Sequence, residues 1–334
     1  MSVLPANSAN IEYAAKLLRE GRLVAFPTET VYGLGADVFN ADALAAVFEV
    51  KRRPRFDPLI VHIASMGTLD ALVDFSALSS LAKERLALLA GRFWPGPLTL
   101  VLPKLSRVPE LATAGLATVA VRFPDHPVAL ELVRRLSAEG AVAAPSANPF
   151  GYLSPTRAGH VAAQLGDRIP LILDGGPCRI GVESTVLNIG GGTAAGERPC
   201  ILRPGGVTLE ALRAVIPDVE TAPGEASPEH AAQPSPGLIK SHYAPSTPLY
   251  LHSPAEMRSL AALPGHAYLY MEETPQKTAA LLFEKLHALD SQGHVAIHAE
   301  LAPEEGIGIA INDRLKRAAA KGGGGGSGGG ELFG

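Results

Sequence analysis

The stretch Ile11-Glu12-Tyr13-Ala14-Ala15-Lys16-Leu17-Leu18-Arg19-Glu20-Gly21-Arg22-Leu23-Val24-Ala25-Phe26 sets the architecture of the chain. Residues 11–20 read as an amphipathic helix that Gly21 closes, and residues 23–26 as a short buried strand. A helix followed at once by a buried strand is an α/β signature, and the alternation continues outward from it. Asn40 can cap a helix running to about residue 50, residues 59–63 read as a strand, and residues 79–91 keep helical apolar spacing before the break at Pro95-Gly96-Pro97. Strands are expected at 98–102 and 118–123, a helix at 126–137, and an extended segment at 141–144. A helix at 155–165 with Ser154 as its cap and extended segments at 171–173 and 185–189 follow. The residues with chemical character sit where these strands end.

At 334 residues, 47% hydrophobic and 19% charged, the chain is too long for one typical domain and has ample material for a core. Composition changes after Ile216. Residues 217–236 are rich in Pro, Ala, Glu and Ser and lack apolar periodicity, which reads as a linker. From about residue 247, strand patterns at 249–251, 267–271 and 294–297 alternate with helical patterns at 255–263, 275–289 and 307–319, the sign of a small parallel α/β domain. Residues 322–330 are glycine apart from Ser327 and read as a flexible tail. The expected division is a first domain over 1–216, a linker over 217–246, a small domain over 247–320 and a tail over 321–334.

A formal net charge of −4 argues against coating nucleic acid through bulk charge and leaves only a local basic groove for weak RNA binding. The N-terminus has neither a basic start nor an apolar stretch, and no run of about 18 apolar residues occurs, so a cytoplasmic protein that does not span a membrane is expected. Cys178 and Cys200 form no Cys-x-x-Cys pair and read as reduced thiols.

Four clusters carry chemistry. In Phe26-Pro27-Thr28-Glu29-Thr30-Val31-Tyr32-Gly33-Leu34-Gly35, hydroxyls and glycines can orient a small polar ligand, or the threonines can merely bond a local turn. Lys51-Arg52-Arg53-Pro54-Arg55 leads into Asp57 and His62; four cations in five residues can hold a polyphosphate, or form a solvated helix end. His62, inside an apolar strand, reads by itself as a core histidine. Thr118-Val119-Ala120-Val121-Arg122 is an apolar strand ending in an arginine that needs an anion, supplied by ligand or by protein. Ala144-Pro145-Ser146-Ala147-Asn148-Pro149, continuing to Ser154, offers donors on a stiff loop. Ser184, Arg203 and Tyr243, in the segments 181–186, 201–206 and 242–245, add hydroxyls and a further cation. No Walker loop, His-Glu-x-x-His or Gly-x-Ser-x-Gly motif is present.

Taken together and in order, Pro27-Thr28-Glu29-Thr30-Val31-Tyr32-Gly33-Leu34, Lys51-x-Arg53, Pro58-Leu59-Ile60-Val61-His62, Trp94-Pro95-Gly96-Pro97-Leu98-Thr99, Val121-Arg122-Phe123-Pro124, Pro145-Ser146-Ala147-Asn148 and Glu183-Ser184-Thr185-Val186 closely resemble the YrdC family. The resemblance covers about residues 10–210, and the His242-Tyr243-Ala244-Pro245 segment with the small domain after it matches the long form of the family. It implies a twisted, mixed-sheet α/β domain with a concave cationic cavity, followed by a smaller Rossmann-like α/β domain. It also implies a nucleotidyltransferase that makes threonylcarbamoyl-adenylate from ATP, L-threonine and bicarbonate, releasing pyrophosphate. That reaction is the first step of tRNA N6-threonylcarbamoyladenosine formation, so the expected partner is the threonylcarbamoyl-transferase machinery acting on tRNA.

By matching position, Thr30, His62, Arg122 and Ser184 would hold threonine, with Arg122 on its carboxylate. Lys51, Arg53, Asp57, Thr118, Ser146, Asn148, Ser154, Arg203 and Tyr243 would surround ATP, with Tyr243 as part of a lid. Lys51, Arg53 and Arg122 would be the catalytic cations, and Mg²⁺ would accompany ATP, with no protein ligand to the metal identified. Asp57 stands where asparagine is frequent among relatives. Two rival readings are a non-catalytic RNA-binding module, which low charge disfavours, and carbamoyl transfer as in hydrogenase-maturation relatives, whose zinc-finger cysteines are missing here.

Overall fold

The computed structural model describes residues 1–137, 139–190, 198–222 and 243–320. The first unit runs β1 (Ser2–Pro5), α1 (Ser8–Arg19), β2 (Val24–Phe26), β3 (Gly33–Asp37), α2 (Ala41–Lys51), β4 (Ile60–Ile63), α3 (Ser80–Phe93), β5 (Leu98–Pro103) and α4 (Glu110–Thr113). It continues through β6 (Thr118–Arg122), α5 (Pro127–Leu136), β7 (Ala141–Ala143), α6 (Ala158–Leu165), β8 (Leu171–Asp174), β9 (Thr185–Asn188), β10 (Cys200–Arg203), α7 (Leu209–Arg213) and β11 (Glu220–Thr221). The second unit is β12 (Leu249–His252), α8 (Pro254–Ser259), β13 (His266–Leu269), α9 (Pro275–Asp290), β14 (Ala296–Glu300) and α10 (Gly308–Ala319).

Eleven strands form one mixed sheet in the order β1-β8-β2-β3-β7-β4-β6-β5-β9-β10-β11. Because side chains alternate across a strand, β2 sends Val24 and Phe26 into a core with α1 and α5, while Ala25 faces a larger core with α2, α3 and α6. The sheet is therefore covered on both faces near β2, as its apolar run requires. Asn40 caps α2 as expected, accepting from the amides of Asp42 and Ala43.

Several local readings change, and β1 and β10 lie where no strand was expected. Helix α1 begins at Ser8, earlier than its apolar period, because the Asn7 side chain accepts from Asn10 N and starts the turn there. The helix expected at 155–165 starts only at Ala158, and Ser154 is not its cap. The carbonyls of Pro155 and Thr156 accept instead from Tyr32 N and Cys178 N, which keeps that segment extended. Strand β3 was hidden by its glycines. A Cβ on Gly35 would lie 2.8 Å from the Phe26 ring, so the close approach of β2 and β3 requires its absence.

In the second unit β12, β14 and β13 pair in parallel. One face packs Leu249, Ala267, Leu269 and Ile297 against α9 and α10, and this core also takes in Val31, Leu153 and Val182 of the first unit together with Tyr243. At the seam, a Cβ on Gly181 would lie 2.2 Å from the Ala279 carbonyl of α9, so the two backbones meet with no room for a side chain. The other face carries His252, His298 and His266 joined edge to edge by N···N contacts of 2.8 and 2.9 Å.

The compositionally distinct stretch lies only partly within the described residues. Glu220–Thr221 adds an edge strand beside β10, whereas residues 223–242, including His242, and the tail 321–334 lie outside them. Among the described residues no helix is long and apolar enough to cross a membrane.

Candidate active site

A single row of cross-strand neighbours builds the site. Register places His62 of β4 beside Arg122 of β6, Arg122 beside Thr99 of β5, Thr99 beside Val186 of β9, and Val186 beside Arg203 of β10. Residues in register share a face. The alternate residues Val61, Val121, Leu98, Leu100 and Leu187 therefore fill the core on the other side. Arg203 joins the row only because of a bulge in β10. Ile201 pairs with Leu187 and Arg203 with Val186, so Leu202 is the extra residue, and it turns Arg203 away from the core face that Ile201 occupies.

His62, Arg122 and Arg203 of this row line a cavity of about 50 Å³ together with Thr28, Thr30, Gly33, Arg53, Ser146, Glu183, Ser184 and Tyr243. Three guanidinium groups reach it, each held from behind. Arg122 donates through Nη1 to Thr30 Oγ1 at 2.9 Å and stands 2.7 Å from Glu29 Oε1. Arg53 is paired with Asp57 at 2.9 Å and donates to Pro58 O at 2.8 Å. Arg203 donates to the Ser184 carbonyl at 2.9 Å and to its hydroxyl at 3.2 Å, while Ser184 Oγ also meets Thr99 Oγ1 at 2.7 Å.

Burial and this cationic ring set the protonation states. Burial alone would raise the Glu29 carboxyl, but the charge and hydrogen bond of Arg122 hold it below the usual carboxylate range. His62 is pushed down to about 3, first by burial and then by Arg122, so at neutral pH it is an uncharged imidazole facing the cavity. Burial lowers Arg53 and Arg203 from their ordinary values, with Asp57 opposing the change at Arg53.

Of the residues singled out from sequence, Thr30, Arg53, His62, Arg122, Ser146, Ser184, Arg203 and Tyr243 share the cavity. Asp57 and Ser154 lie one bond behind it: Asp57 braces Arg53, and Ser154 Oγ donates to Glu183 Oε1 at 2.5 Å. Lys51, Asn148 and Thr118 are not in its lining. The Lys51 ammonium donates to the carbonyls of Ser146 and Asn148 and so fixes the 145–149 loop from behind. Burial, then Arg53, lowers its pKa well below the ordinary value, with Asp57 opposing. Asn148 donates to Pro149 O and Tyr152 O, and Thr118 stands at the opposite end of β6 from Arg122. Lys51 also borders a separate open cleft of about 890 Å³ with Arg52, Tyr152, His160 and His287.

Sequence reading missed Glu29, Glu183 and Arg314. Both glutamates stood inside quoted motifs, but an acid beside a cationic surface draws no attention until its arginine is seen. Arg314 left a clearer signal. It falls among Ala310, Ile311, Leu315 and Ala318 on the buried stripe of α10, where a charge is out of place without a partner. Its Nε donates to Glu183 Oε2 at 2.8 Å.

Comparison with known proteins places this geometry. A family model for Sua5, YciO and YrdC, described as "Telomere recombination", matches residues 16–205, and one described as "Threonylcarbamoyl-AMP synthase, C-terminal domain" matches residues 207–320. Threonylcarbamoyl-AMP synthase of Pyrococcus abyssi is 41% identical, over 92% of this chain and 94% of its own length. The Bacillus subtilis protein of that name is 42% identical, over 95% and 94%. The crystal structure of P. abyssi Sua5 complexed with L-threonine superposes with a TM-score of 0.85 at 38% identity, covering 96% of this chain and 98% of that one.

Proposed function

This chain belongs to the Sua5/YciO/YrdC family, in the long form that carries a second domain, and from that premise we propose that it is a threonylcarbamoyl-AMP synthase. It joins ATP, L-threonine and bicarbonate into threonylcarbamoyl-adenylate and releases pyrophosphate and water in the cytoplasm, as the first step of a tRNA modification. The observation that carries the reading is the convergence of Arg53, Arg122 and Arg203 on one small cavity beside a neutral His62 and the Ser184 hydroxyl.

The reaction needs an amino acid and a triphosphate held side by side, with negative charge growing on phosphate oxygens as pyrophosphate departs. Arg122 is suited to the threonine carboxylate: it lines the cavity, and Glu29 and Thr30 hold its guanidinium and fix its direction. Uncharged His62 and the Thr30 and Ser184 hydroxyls can orient the amine and the side-chain hydroxyl without repelling an amine that must be neutral to take up carbon dioxide. Arg53 and Arg203 supply fixed positive charge for the phosphates, and charges already in place lower the barrier without reorganising during the step.

Mg²⁺ would enter with the triphosphate. Glu29, Asp57 and Glu183 are each tied to an arginine, and among the described residues no group of three or more acidic, histidine or cysteine side chains converges on a metal position. Its ligands would be phosphate and water oxygens.

A cavity of about 50 Å³ holds a few waters, whereas ligand pockets begin near ~300 Å³. Admission of ATP therefore requires Tyr243 and the wall around it to move, and their return would keep water from the carbamate and the adenylate. Purified protein should release pyrophosphate from ATP only when threonine and bicarbonate are both supplied. Release indifferent to either would overturn the assignment.

A further inference from the structure

We propose that Arg314, contributed by the second unit, is a positioning residue of the active site: it holds the Glu183 carboxylate away from Arg203 and so keeps the cavity cationic enough to bind a triphosphate. The proposal rests on the synthase reading for the identity of that triphosphate.

Arg314 is wholly buried, yet it stands on a helix of the second unit and reaches into the first. Its Nε donates to Glu183 Oε2 at 2.8 Å, and its Nη1 donates to Pro204 O at 2.7 Å and to Asp313 Oδ2 at 2.8 Å. Its guanidinium carbon lies 5.3 Å from the centre of the Tyr243 ring, a cation–π contact. One side chain thus ties together the loop before β9, the turn after β10 and the entry to the second unit. Two of the groups it touches, Glu183 and Tyr243, line the cavity.

Glu183 is the one carboxylate in that lining. Its Oε1 is occupied by Ser154 and its Oε2 by Arg314, and the other arginine whose charge acts on it is Arg203. Without Arg314, the carboxylate would keep the Ser154 hydroxyl but lose its ion pair, standing as an uncompensated negative charge in a buried wall. It would turn to Arg203, drawing that guanidinium off the Ser184 carbonyl, or stand repelling the phosphates; both outcomes weaken the hold on ATP. Glu29 remains engaged with Arg122 in either case, so threonine binding is little affected.

The test uses the full-length chain with three variants: Arg314→Met, Glu183→Gln and the double variant. Steady-state pyrophosphate release gives KM for ATP and for threonine separately, and calorimetric titration with ATP alone gives its affinity without turnover. Arg314→Met should raise KM for ATP and weaken ATP affinity by about tenfold or more, while KM for threonine moves less than about threefold. The double variant, which removes both buried charges, should recover ATP affinity to within about threefold of the parent. If Arg314→Met changes only the melting temperature, or shifts both substrates equally, or if the double variant binds ATP no better than Arg314→Met, the proposal is wrong. A parent protein that binds ATP but releases no pyrophosphate with threonine and bicarbonate would refute the synthase reading and leave the titration result to judge Arg314.

Discussion

Arg122 and Glu29 stand 2.7 Å apart with both side chains almost completely withdrawn from water. A buried pair of this kind adds little net stability, because desolvation offsets most of the attraction, but breaking it leaves an unsatisfied charge. The pair is therefore better understood as a means of holding Arg122 rigid and charged toward the cavity.

Arg122→Ala should raise the threonine KM far more than the ATP KM, by an amount corresponding to about 2–5 kcal/mol of lost charged contact. It should also lower stability by about 3–5 kcal/mol, since Glu29 is left unpaired. Kinetics with each substrate varied in turn, alongside urea unfolding, check both parts. Equal changes in the two KM values would mean that Arg122 does not face threonine.

Gly205→Ala places a Cβ 2.3 Å from the Glu183 carbonyl oxygen and 2.3 Å from the Ser184 carbonyl carbon, both backbone atoms that cannot swing aside. The shift falls on the segment that holds Ser184 and receives Arg203. Activity should drop at least about a hundredfold, with destabilisation of about 2 kcal/mol or more. Wild-type turnover in this variant would contradict the packing.

Tyr243→Ala removes a fully buried ring that packs against Phe283 and roofs the cavity. Stability should fall by about 3 kcal/mol, and the fraction of pyrophosphate release accompanied by intact adenylate should fall as water enters. Tyr243→Phe keeps the ring and should retain most of the stability. Product analysis by chromatography separates the two variants, and an unchanged product ratio in the alanine variant would remove Tyr243 from the barrier.

Stability should decline as pH falls below about 6.5. His62 titrates at about 3 when folded, lowered chiefly by burial, and His160 at about 4, lowered first by burial and then by the neighbouring His287. The unfolded chain binds protons on these rings near 6.5 while the folded chain does not, so acid favours unfolding across the interval between the two values. Each such residue contributes at most about 1.4 kcal/mol per pH unit there and nothing above it. Glu29 and Glu183, held below their usual range, add a separate loss beginning only below about 4.5. His62→Gln should flatten the slope of unfolding free energy between pH 6 and 5; parallel slopes for parent and variant would refute the assignment.

The alternation of helices with short apolar strands was legible because periodicity depends on local sequence alone, and α2, α3, α5, β5 and β6 lie where the pattern puts them. Strand β3 was not, since Gly33, Gly35 and Ala36 have too little side chain to show a period and are chosen for how closely Phe26 and Ala144 approach. In the site, Arg122 and Arg203 could be found as cations at strand ends. Their shared row could not, because it depends on register across five strands and on a bulge at Leu202. Lys51 reads as a phosphate ligand beside Arg53, yet the helix end turns at Arg52, which adopts a left-handed conformation with φ of 51°, and the two cations reach different environments.

Val31, Leu153 and Val182 complete a core that otherwise belongs to the second unit. A protein shortened after the first unit would wear these side chains, each worth about 1.5–3 kcal/mol when covered, as a raw hydrophobic scar directly beside its own catalytic mouth. Dissection at the seam would therefore yield a sticky, self-associating fragment, and engineering a minimal version demands resurfacing that scar with polar residues before any turnover can be judged.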